Sequence, residues 1–297
     1  MLPPSDPAPS ASPARFSLGC VTFGREIDEV AAGAVMDYAA GEGWTMFDTA
    51  AAYGGGASER IVGAWLQRRP ASLRPLLATK ILPPYEPATL RSRVDASLQR
   101  LGLARVDVLY LHQWHESALQ PDSLAALHGA VADGLVGAVG ASNFNADQLG
   151  RALTLQAERG FAPFRYLQNI HNYAVSAFDA PLVSLCLRAG VERVGYSPLG
   201  AGFLTGKYDG GVPPGTRFDL IPGHQAIYFT AAARERLARL HAVAREMDCT
   251  PAELALAWAA RHPALSRVLI GGRSPSQVAQ GPAALARVPA EVTGRLD

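Results

Sequence analysis

Four residues in the first third of the chain have side chains that could act together on a carbonyl group: Asp48, Tyr53, Lys80 and His112. Each ends or closely follows a stretch that predicts a β-strand. A solitary phenol is too weak an acid to protonate a carbonyl near neutral pH, but a neighbouring ammonium group strengthens it. These residue types therefore indicate proton transfer to a substrate oxygen.

The pattern predicts a role for each of these residues. Asp48 would keep Lys80 charged, and the ammonium group would stabilise the phenolate of Tyr53 and lower the pKa of that phenol. A neutral His112 could hold a carbonyl oxygen between its ring and the Tyr53 hydroxyl. Taken singly, the same residues also fit an internal ion pair, a loop aromatic and a half-buried histidine. Their position at adjacent strand ends favours the catalytic interpretation.

Such residues need a scaffold that brings consecutive strand ends together, and the remaining sequence predicts one. Short apolar stretches alternate with longer amphipathic ones. The eight predicted strands span residues 16–18, 45–47, 76–79, 106–109, 136–140, 166–168, 191–196 and 267–270. The predicted helices span residues 28–40, 58–69, 87–101, 122–133, 146–159, 180–189, 230–247, 250–261 and 276–286.

Repeated strand–helix units favour parallel strands, and eight units predict an α/β fold of the (β/α)8 TIM barrel type in a single domain. A doubly wound open sheet is the alternative, and it is less favoured because no GxGxxG motif follows the first strand. Ser58 and Thr250 are predicted to cap helix N-termini. The Gly- and Pro-rich connection 197–229 is long enough to be either functional or disordered.

Composition narrows the classes of function. The 297 residues include 27 basic and 26 acidic side chains, which gives no general attraction to nucleic acid or to a membrane surface. Cys20, Cys186 and Cys249 form no closely spaced set, so we expect no disulfide framework and no metal site, and a reducing, cytoplasmic setting. No apolar run predicts a membrane span or a secretory signal. Residues 1–15 predict a mobile leader ahead of a barrel of residues 16–297.

At the four residues introduced first, the chain resembles the aldo-keto reductase family. Residues 48–54 are similar to that family's motif of Asp-Thr-Ala followed by Tyr-Gly. The resemblance covers residues 16–286, far more than a chance motif match. It continues in the family's order through residues 140–144, 168–172, 195–208 and 273–275. It implies a barrel that binds a nicotinamide cofactor without a Rossmann fold and reversibly reduces carbonyl groups.

The resemblance also implies a set of cofactor contacts. Ser142, Asn143 and Gln168 match residues that hydrogen-bond the nicotinamide carboxamide, and Tyr196 matches the aromatic residue that stacks on its ring. The rest of the cofactor would be held by Gly19, Cys20, Val21, Asp48, Ser197, Leu199, Gly200, Gly202, Leu204, Lys207, Ile270, Gly272, Arg273, Ser274, Gln277 and Gln280.

Cofactor preference follows from two of these positions. Arg273 and Ser274 match the family's site for the adenosine 2′-phosphate, so NADPH is favoured over NADH. The chain departs from the family at Gln280, where an acid usually contacts the adenine, and at His171, where tyrosine is more usual.

The substrate wall is expected to come from the loops after the first, fourth and seventh strands, through Phe23, Trp114 and Tyr228 beside Tyr53 and His112. Aromatic surface with few polar groups suits a medium-sized aldehyde, ketone or keto sugar, although each aromatic could equally fill space in the core. The leading prediction is reduction of such a compound by NADPH, with Tyr53 as general acid.

Two other functions remain open at this point. One is a cofactor-binding regulatory subunit with little turnover, similar to the potassium-channel β subunits that share this fold. The other is a metal-dependent barrel hydrolase or isomerase, which needs converging His and carboxylate ligands. The seven histidines are scattered along the sequence, which disfavours the metal-dependent function.

Overall fold

Eight parallel strands, taken in sequence order, form a closed barrel in the computed structural model, which describes residues 15–296. The predicted leader of residues 1–15 lies outside the described residues except for Arg15. The strands are β1 (Phe16–Gly19), β2 (Met46–Asp48), β3 (Leu76–Ile81), β4 (Val106–Leu111), β5 (Val136–Ser142), β6 (Phe164–Ile170), β7 (Glu192–Tyr196) and β8 (Arg267–Ile270). Phe16 pairs with Val268, and this contact between the first and last strands closes the barrel.

Helices connect the strands and cover the outside of the barrel, which confirms the predicted (β/α)8 fold. They are α1 (Glu29–Gly41), α2 (Ala57–Gln67), α3 (Pro87–Leu101), α4 (Pro121–Ala132), α5 (Ala146–Glu158), α6 (Ala180–Ala189), α7 (Arg217–Leu220), α8 (Gln225–Tyr228), α9 (Ala231–Glu246), α10 (Pro251–Arg261), α11 (Pro275–Val278), α12 (Gln280–Arg287) and α13 (Ala290–Thr293).

One of the two predicted helix caps is correct. Thr250 and Glu253 form a reciprocal capping box at the start of α10. Ser58 is not a cap, because α2 begins one residue earlier, after Gly56 in a left-handed conformation. The Ser58 side chain is buried and donates a hydrogen bond to the Cys20 carbonyl at 2.9 Å, so it joins the start of α2 to the loop after β1.

The core has two parts. The larger part lies between the strands and the surrounding helices. A separate small cluster comprises Met46, Ala78, Val108 and Tyr110, with Tyr166 packed against it. Because alternate strand residues share a face, Asp48 and Lys80, each two positions after a member of this cluster, point to the same side. The small cluster thus forms an apolar floor beneath two charged side chains.

Residues 197–229, here called the β7 insertion, are ordered and contain α7 and α8. Their aromatic side chains pack on one another: the ring centroids of Tyr208 and Phe218 lie 4.4 Å apart, and those of Phe218 and Tyr228 lie 5.5 Å apart. Phe203 and Phe229 complete this aromatic cluster. The insertion therefore has an apolar centre of its own, beside the open end of the barrel.

Candidate active site

The strands bring the four predicted catalytic residues to one end of the barrel. Asp48 ends β2, Lys80 is the penultimate residue of β3, and His112 directly follows β4. Tyr53 begins a short 3-10 helix, Tyr53–Gly56, in which all three glycines have positive φ angles. Tyr53 is thus followed at once by a tight, left-handed turn that glycine adopts without strain.

Lys80 is the centre of the hydrogen-bond network. Its side chain is only 1% exposed, and its ammonium group donates to the Asp48 carboxylate, to the Thr49 carbonyl at 2.9 Å and to the Tyr53 hydroxyl at 3.2 Å. Gln168 donates to the other Asp48 oxygen at 2.9 Å. Burial lowers the pKa of Lys80, but Asp48 and Tyr53 raise it by more, so the net pKa lies above its ordinary value. Lys80 is therefore a cation at neutral pH.

Tyr53 differs from the sequence prediction in the direction of its pKa. Lys80 lowers the pKa of this phenol, as expected, but burial raises it by more, and Asp48 raises it further. The net pKa lies above the ordinary value rather than below it. The reason is that the hydroxyl sits in a desolvated position, where the phenolate loses its hydration. At neutral pH Tyr53 therefore carries its proton, as a donor must.

His112 is held neutral beside Tyr53. Burial, together with the positive charge of Lys80, lowers the pKa of His112 to about 3. The two rings meet edge to face with centroids 5.7 Å apart. The Nδ1 atom of His112 is buried and has no hydrogen-bond partner within residues 15–296. A neutral imidazole in this place can donate or accept a hydrogen bond but adds no charge.

Tyr53 and His112 open into a cavity of about 610 Å³ that extends along the ends of β5 to β8 as far as Arg273. Polar side chains from β5 and β6 line it near Tyr53, and Lys207 and Arg273 line it elsewhere. The cavity thus combines a proton donor, amide and hydroxyl groups, and the cationic side chains of Lys207, Arg217 and Arg273. This combination suits a ligand that carries both a polar ring and phosphate groups.

The comparison with known families agrees with this geometry. The model described as the Aldo/keto reductase family matches residues 15–297. The chain belongs to the aldo/keto reductase family. It is therefore an oxidoreductase of carbonyl compounds in the general sense, in a family that generally uses NAD(P)H.

Most of the residues that the aldo/keto reductase resemblance assigned to the cofactor line the cavity. These are Gly19, Val21, Asp48, Ser142, Asn143, Gln168, Tyr196, Ser197, Leu199, Gly202, Lys207, Ile270, Gly272, Arg273 and Gln277. Five do not. Cys20, Gly200 and Leu204 are buried behind the wall, Ser274 caps α11, and Gln280 is exposed at the start of α12.

The end of the cavity nearest Tyr53 fits the nicotinamide part of such a cofactor. Asn143 donates to the His112 carbonyl at 3.0 Å and accepts from the Tyr196 hydroxyl at 2.8 Å. Burial raises the pKa of Tyr196 to about 12, so this hydroxyl remains a donor. Asn143 and Ser197 each directly follow a strand, β5 and β7 respectively, and both have positive φ angles, 61° and 58°. These strained positions hold the amide and the aromatic ring on one surface.

The opposite end fits phosphate groups. Gly202 has a φ of 89°, and a Cβ atom there would lie 2.6 Å from the Nζ atom of Lys207. Any other residue would be strained at this φ and would displace the end of the lysine side chain. Arg273 makes no side-chain hydrogen bond or ion pair with any residue in the described part of the chain, and its backbone N–H donates to Gln277 at 2.8 Å. Its guanidinium is thus available to a ligand.

The substrate wall is only partly as predicted. Tyr53, His112 and Tyr228 line the cavity, but Phe23 and Trp114 do not. Phe23 is fully buried, because the loop after β1 folds back on itself and Gly24 pairs with Ile27 through the backbone. Trp114 packs edge to face on Phe144, with centroids 5.0 Å apart. Phe23 is therefore a core residue and Trp114 is partly buried against the core, as in the alternative that the sequence left open.

Sequence reasoning missed several residues that line the cavity, among them Thr22, Glu26, Arg217, Leu220, His224 and Ile227. Four of them lie in the β7 insertion. The length of the insertion indicated that it could be functional. The short helices α7 and α8, however, decide which of its side chains face the cavity. No pattern in residues 197–229 predicts those helices, because each is a single turn.

Within residues 15–296, the part of the chain that the structure describes, no group of three or more His, Cys, Asp or Glu side chains is placed to hold a metal ion. The same residues contain no helix that is long and apolar enough to cross a membrane.

Proposed function

We propose that this protein is an NADPH-dependent reductase that converts an aldehyde or a ketone to the alcohol, with Tyr53 as general acid. The observation that carries the proposal is the position of the Lys80 ammonium group, 3.2 Å from the Tyr53 hydroxyl and paired with Asp48, at the floor of the cavity. A buried cation in contact with a phenol has a clear use if that phenol must give up its proton.

The residues of this chain would act in sequence. The Tyr53 hydroxyl and the neutral His112 ring would hold the carbonyl oxygen between them and polarise the C=O bond. When bound, reduced nicotinamide would supply the hydride. As negative charge develops on the substrate oxygen, Tyr53 would donate its proton, because an alkoxide is a stronger base than a phenolate. Lys80 would then stabilise the phenolate, and Asp48 would keep the ammonium group charged and in place.

The proposed cofactor is NADPH rather than NADH. Ser142, Asn143 and Gln168 offer hydrogen bonds for a carboxamide, and Tyr196 offers a ring for stacking. Arg273 would bind the 2′-phosphate with the N–H groups that are not engaged elsewhere in residues 15–296. The Arg273→Ala variant is expected to lose about tenfold or more in affinity for NADPH but little for NADH, as measured by titration of protein fluorescence. Equal losses for both cofactors would count against NADPH preference.

The proposed setting is the cytoplasm, because Cys20, Cys186 and Cys249 all remain free thiols. The proposed substrate is a medium-sized carbonyl compound such as an aldehyde, a keto sugar or the ketone of a larger metabolite. A cavity of about 610 Å³ must hold the reactive part of both the cofactor and this compound.

The deciding experiment is the Tyr53→Phe substitution. We expect it to abolish NADPH oxidation with a panel of aldehydes and ketones while leaving NADPH affinity close to that of the wild type, because the ring remains and only the acidic proton is lost. Tyr38→Phe, in α1 and outside the cavity lining, is the matched control and should be fully active. If wild-type protein binds NADPH but never oxidises it, the regulatory-subunit alternative gains support instead.

A further inference from the structure

The ring of His112 lacks the hydrogen bond that usually orients a catalytic imidazole. Histidines that act in catalysis are commonly held by a partner at the ring nitrogen away from the substrate. Here the Nδ1 atom of His112 is buried and has no partner within residues 15–296, and the ring meets Tyr53 edge to face. The direction of the ring therefore depends on packing and on the backbone that carries it.

The barrel sheet supports that backbone only as far as His112 itself. The His112 N–H donates to the Ile81 carbonyl at 2.9 Å, which continues the pairing of β4 with β3. Farther along the β3 side, the two prolines at positions 83 and 84 have no N–H to donate. The Asn143 side chain instead donates to the His112 carbonyl, at 3.0 Å. Beyond this point, the loop after β4 needs support from side chains.

Tyr85, in the loop after β3, holds the residue that follows His112. Its hydroxyl donates to the Gln113 carbonyl at 2.6 Å and accepts from the Gln113 N–H at 3.2 Å. A single phenol thus binds both backbone groups of one residue. Tyr85 is fully buried and does not line the cavity, so it does not itself meet a ligand bound there.

Tyr85 is in turn fixed by two buried serines. Its backbone N–H donates to Ser117 Oγ at 2.8 Å, and its carbonyl accepts from Ser123 Oγ at 2.6 Å. Ser117 lies between β4 and α4, and Ser123 lies in the first turn of α4. Burial raises the pKa of Tyr85 to about 12, so the hydroxyl keeps its proton at neutral pH and remains a donor. Tyr85 is therefore a rigid support for the loop after β4.

We propose that Tyr85 is a positioning residue for the reaction: it fixes the backbone at Gln113 and thereby holds the His112 imidazole where it can meet a carbonyl oxygen. This inference rests on the proposed reductase function. Without the phenol oxygen, the N–H and the carbonyl of Gln113 would both face an apolar ring and lose their partner. Small displacements of a group that orients a substrate lower the rate by large factors, because the reacting geometry is narrow.

The first test is the Tyr85→Phe substitution, which keeps the buried ring and removes only the hydroxyl. Turnover is measured with NADPH and 4-nitrobenzaldehyde, or with a faster substrate from the carbonyl panel. We expect kcat to fall about tenfold or more, while the Kd for NADPH stays close to that of the wild type. A wild-type kcat in Tyr85→Phe would overturn the proposal.

Ser123→Ala is the matched control. It also removes a hydrogen bond of 2.6 Å from Tyr85, but it leaves the phenol in contact with Gln113. Both variants should melt at a lower temperature than the wild type, and only Tyr85→Phe should lose turnover. Equal losses of kcat in the two variants would mean that Tyr85 acts through general stability, and the positioning role would be wrong.

A double-mutant cycle determines whether Tyr85 acts through His112. His112→Ala removes the ring that Tyr85 is proposed to orient, so adding Tyr85→Phe to it should cost little further activity. A structural role without connection to His112 would give the same fold loss in both backgrounds. Additive losses would therefore contradict the proposal.

Hydrogen exchange tests the contact in the wild-type protein without any substitution. The Gln113 amide should exchange slowly, because it is bonded to a buried hydroxyl, and Tyr85→Phe should accelerate its exchange. Rapid exchange in the wild type would overturn the role of Tyr85, whereas wild-type turnover would leave the reductase function standing. If the wild type oxidises NADPH with no carbonyl compound, the reductase function fails and the role of Tyr85 fails with it.

Discussion

Lys80 directs its ammonium group at three oxygen atoms, one each from Asp48, Thr49 and Tyr53. Such a group is fully satisfied and has no freedom to move when the charge of its neighbours changes. Charge that develops on Tyr53 therefore meets a cation that is already in place, and no reorganisation is needed during the reaction. The raised pKa of Tyr53 in the resting protein is consistent with this role, since proton loss belongs to the reaction and not to the ground state.

The buried pair gives a prediction that separates stability from chemistry. Lys80→Met leaves Asp48 buried without a cation and is expected to lower the free energy of unfolding by about 3–5 kcal/mol. The double variant Asp48→Asn/Lys80→Met should regain most of that stability, because no charge remains to be compensated. Guanidinium denaturation measures both. Turnover should be lost in both variants. If Lys80→Met is as stable as the wild type, the prediction is contradicted.

At the same scale, sequence reasoning worked where a residue's place is fixed by a strand. Asp48, Lys80 and His112 lie at strand ends, and the alternation of side chains along β2 and β3 suffices to bring Asp48 and Lys80 together. It failed for Trp114, two residues past His112, because a loop residue can turn either to the cavity or to the core. The net pKa of Tyr53 was wrong for a related reason: burial is a property of the folded chain, whereas a nearby charge can be inferred from sequence.

At the scale of elements, all eight predicted strands are present, and several extend one or two residues beyond the predicted ends. The apolar pattern stops where polar site residues such as Ser142 and Asn169 begin, so a prediction from hydrophobicity ends too early. The predicted helix 276–286 is two helices, α11 and α12, joined at Ala279. Its apolar periodicity continues across the break and gives no signal of it.

The contact between α2 and α3 gives a prediction about packing. A Cβ atom at Gly63 would lie 2.0 Å from the Leu101 carbonyl oxygen, which belongs to the backbone of α3 and cannot move aside. Gly63→Ala is therefore expected to separate the two helices and to destabilise the protein by about 1–3 kcal/mol. A lower melting temperature in calorimetry would report this.

Gly129 in α4 is the matched control. No atom lies within 4 Å of the position that its Cβ would occupy. Gly129→Ala should be neutral or stabilising by about 0.5–1 kcal/mol, because alanine favours the helix over the unfolded chain. If both variants melt at the wild-type temperature, the Leu101 carbonyl leaves room for a methyl group at position 63 and the prediction is wrong.

At the scale of the whole molecule, two buried histidines tie stability to pH. Burial lowers the pKa of His112 to about 3, with a contribution from Lys80, and lowers the pKa of His171 to about 3, with a contribution from His262. In the unfolded chain these groups take up protons below about pH 6.5. Their contribution to stability is therefore complete above pH 6.5 and is lost as the pH falls toward 3.

When the pH falls from 7.5 to 5, each histidine is expected to lower the free energy of unfolding by about 2 kcal/mol. His171→Phe keeps a ring stacked on Trp258 but removes one titrating group, so it should lose about half as much stability as the wild type over this interval. Denaturant titrations at the two pH values measure the difference. A loss in His171→Phe equal to that of the wild type would show that His171 is not the source.

The closed barrel could be predicted from repeated strand–helix units alone, because that repeat admits few architectures. The part of the cavity wall that the β7 insertion forms could not. It is built by α7 and α8 of the β7 insertion, whose single turns are stable only through packing with the rest of the chain. Arg217 and Glu26 are 191 positions apart in sequence and meet only in three dimensions.

The aromatic cluster within the β7 insertion has an evolutionary consequence. Rings at Phe203, Tyr208, Phe218 and Tyr228 keep the shape of this segment without help from the charged centre on β2 and β3. Outward positions on the segment can accordingly diversify while the proton donor stays intact. Descendants of such a chain could come to accept other compounds through substitutions at these positions, while the cofactor contacts at the start of the segment and the inherited reaction stay unchanged.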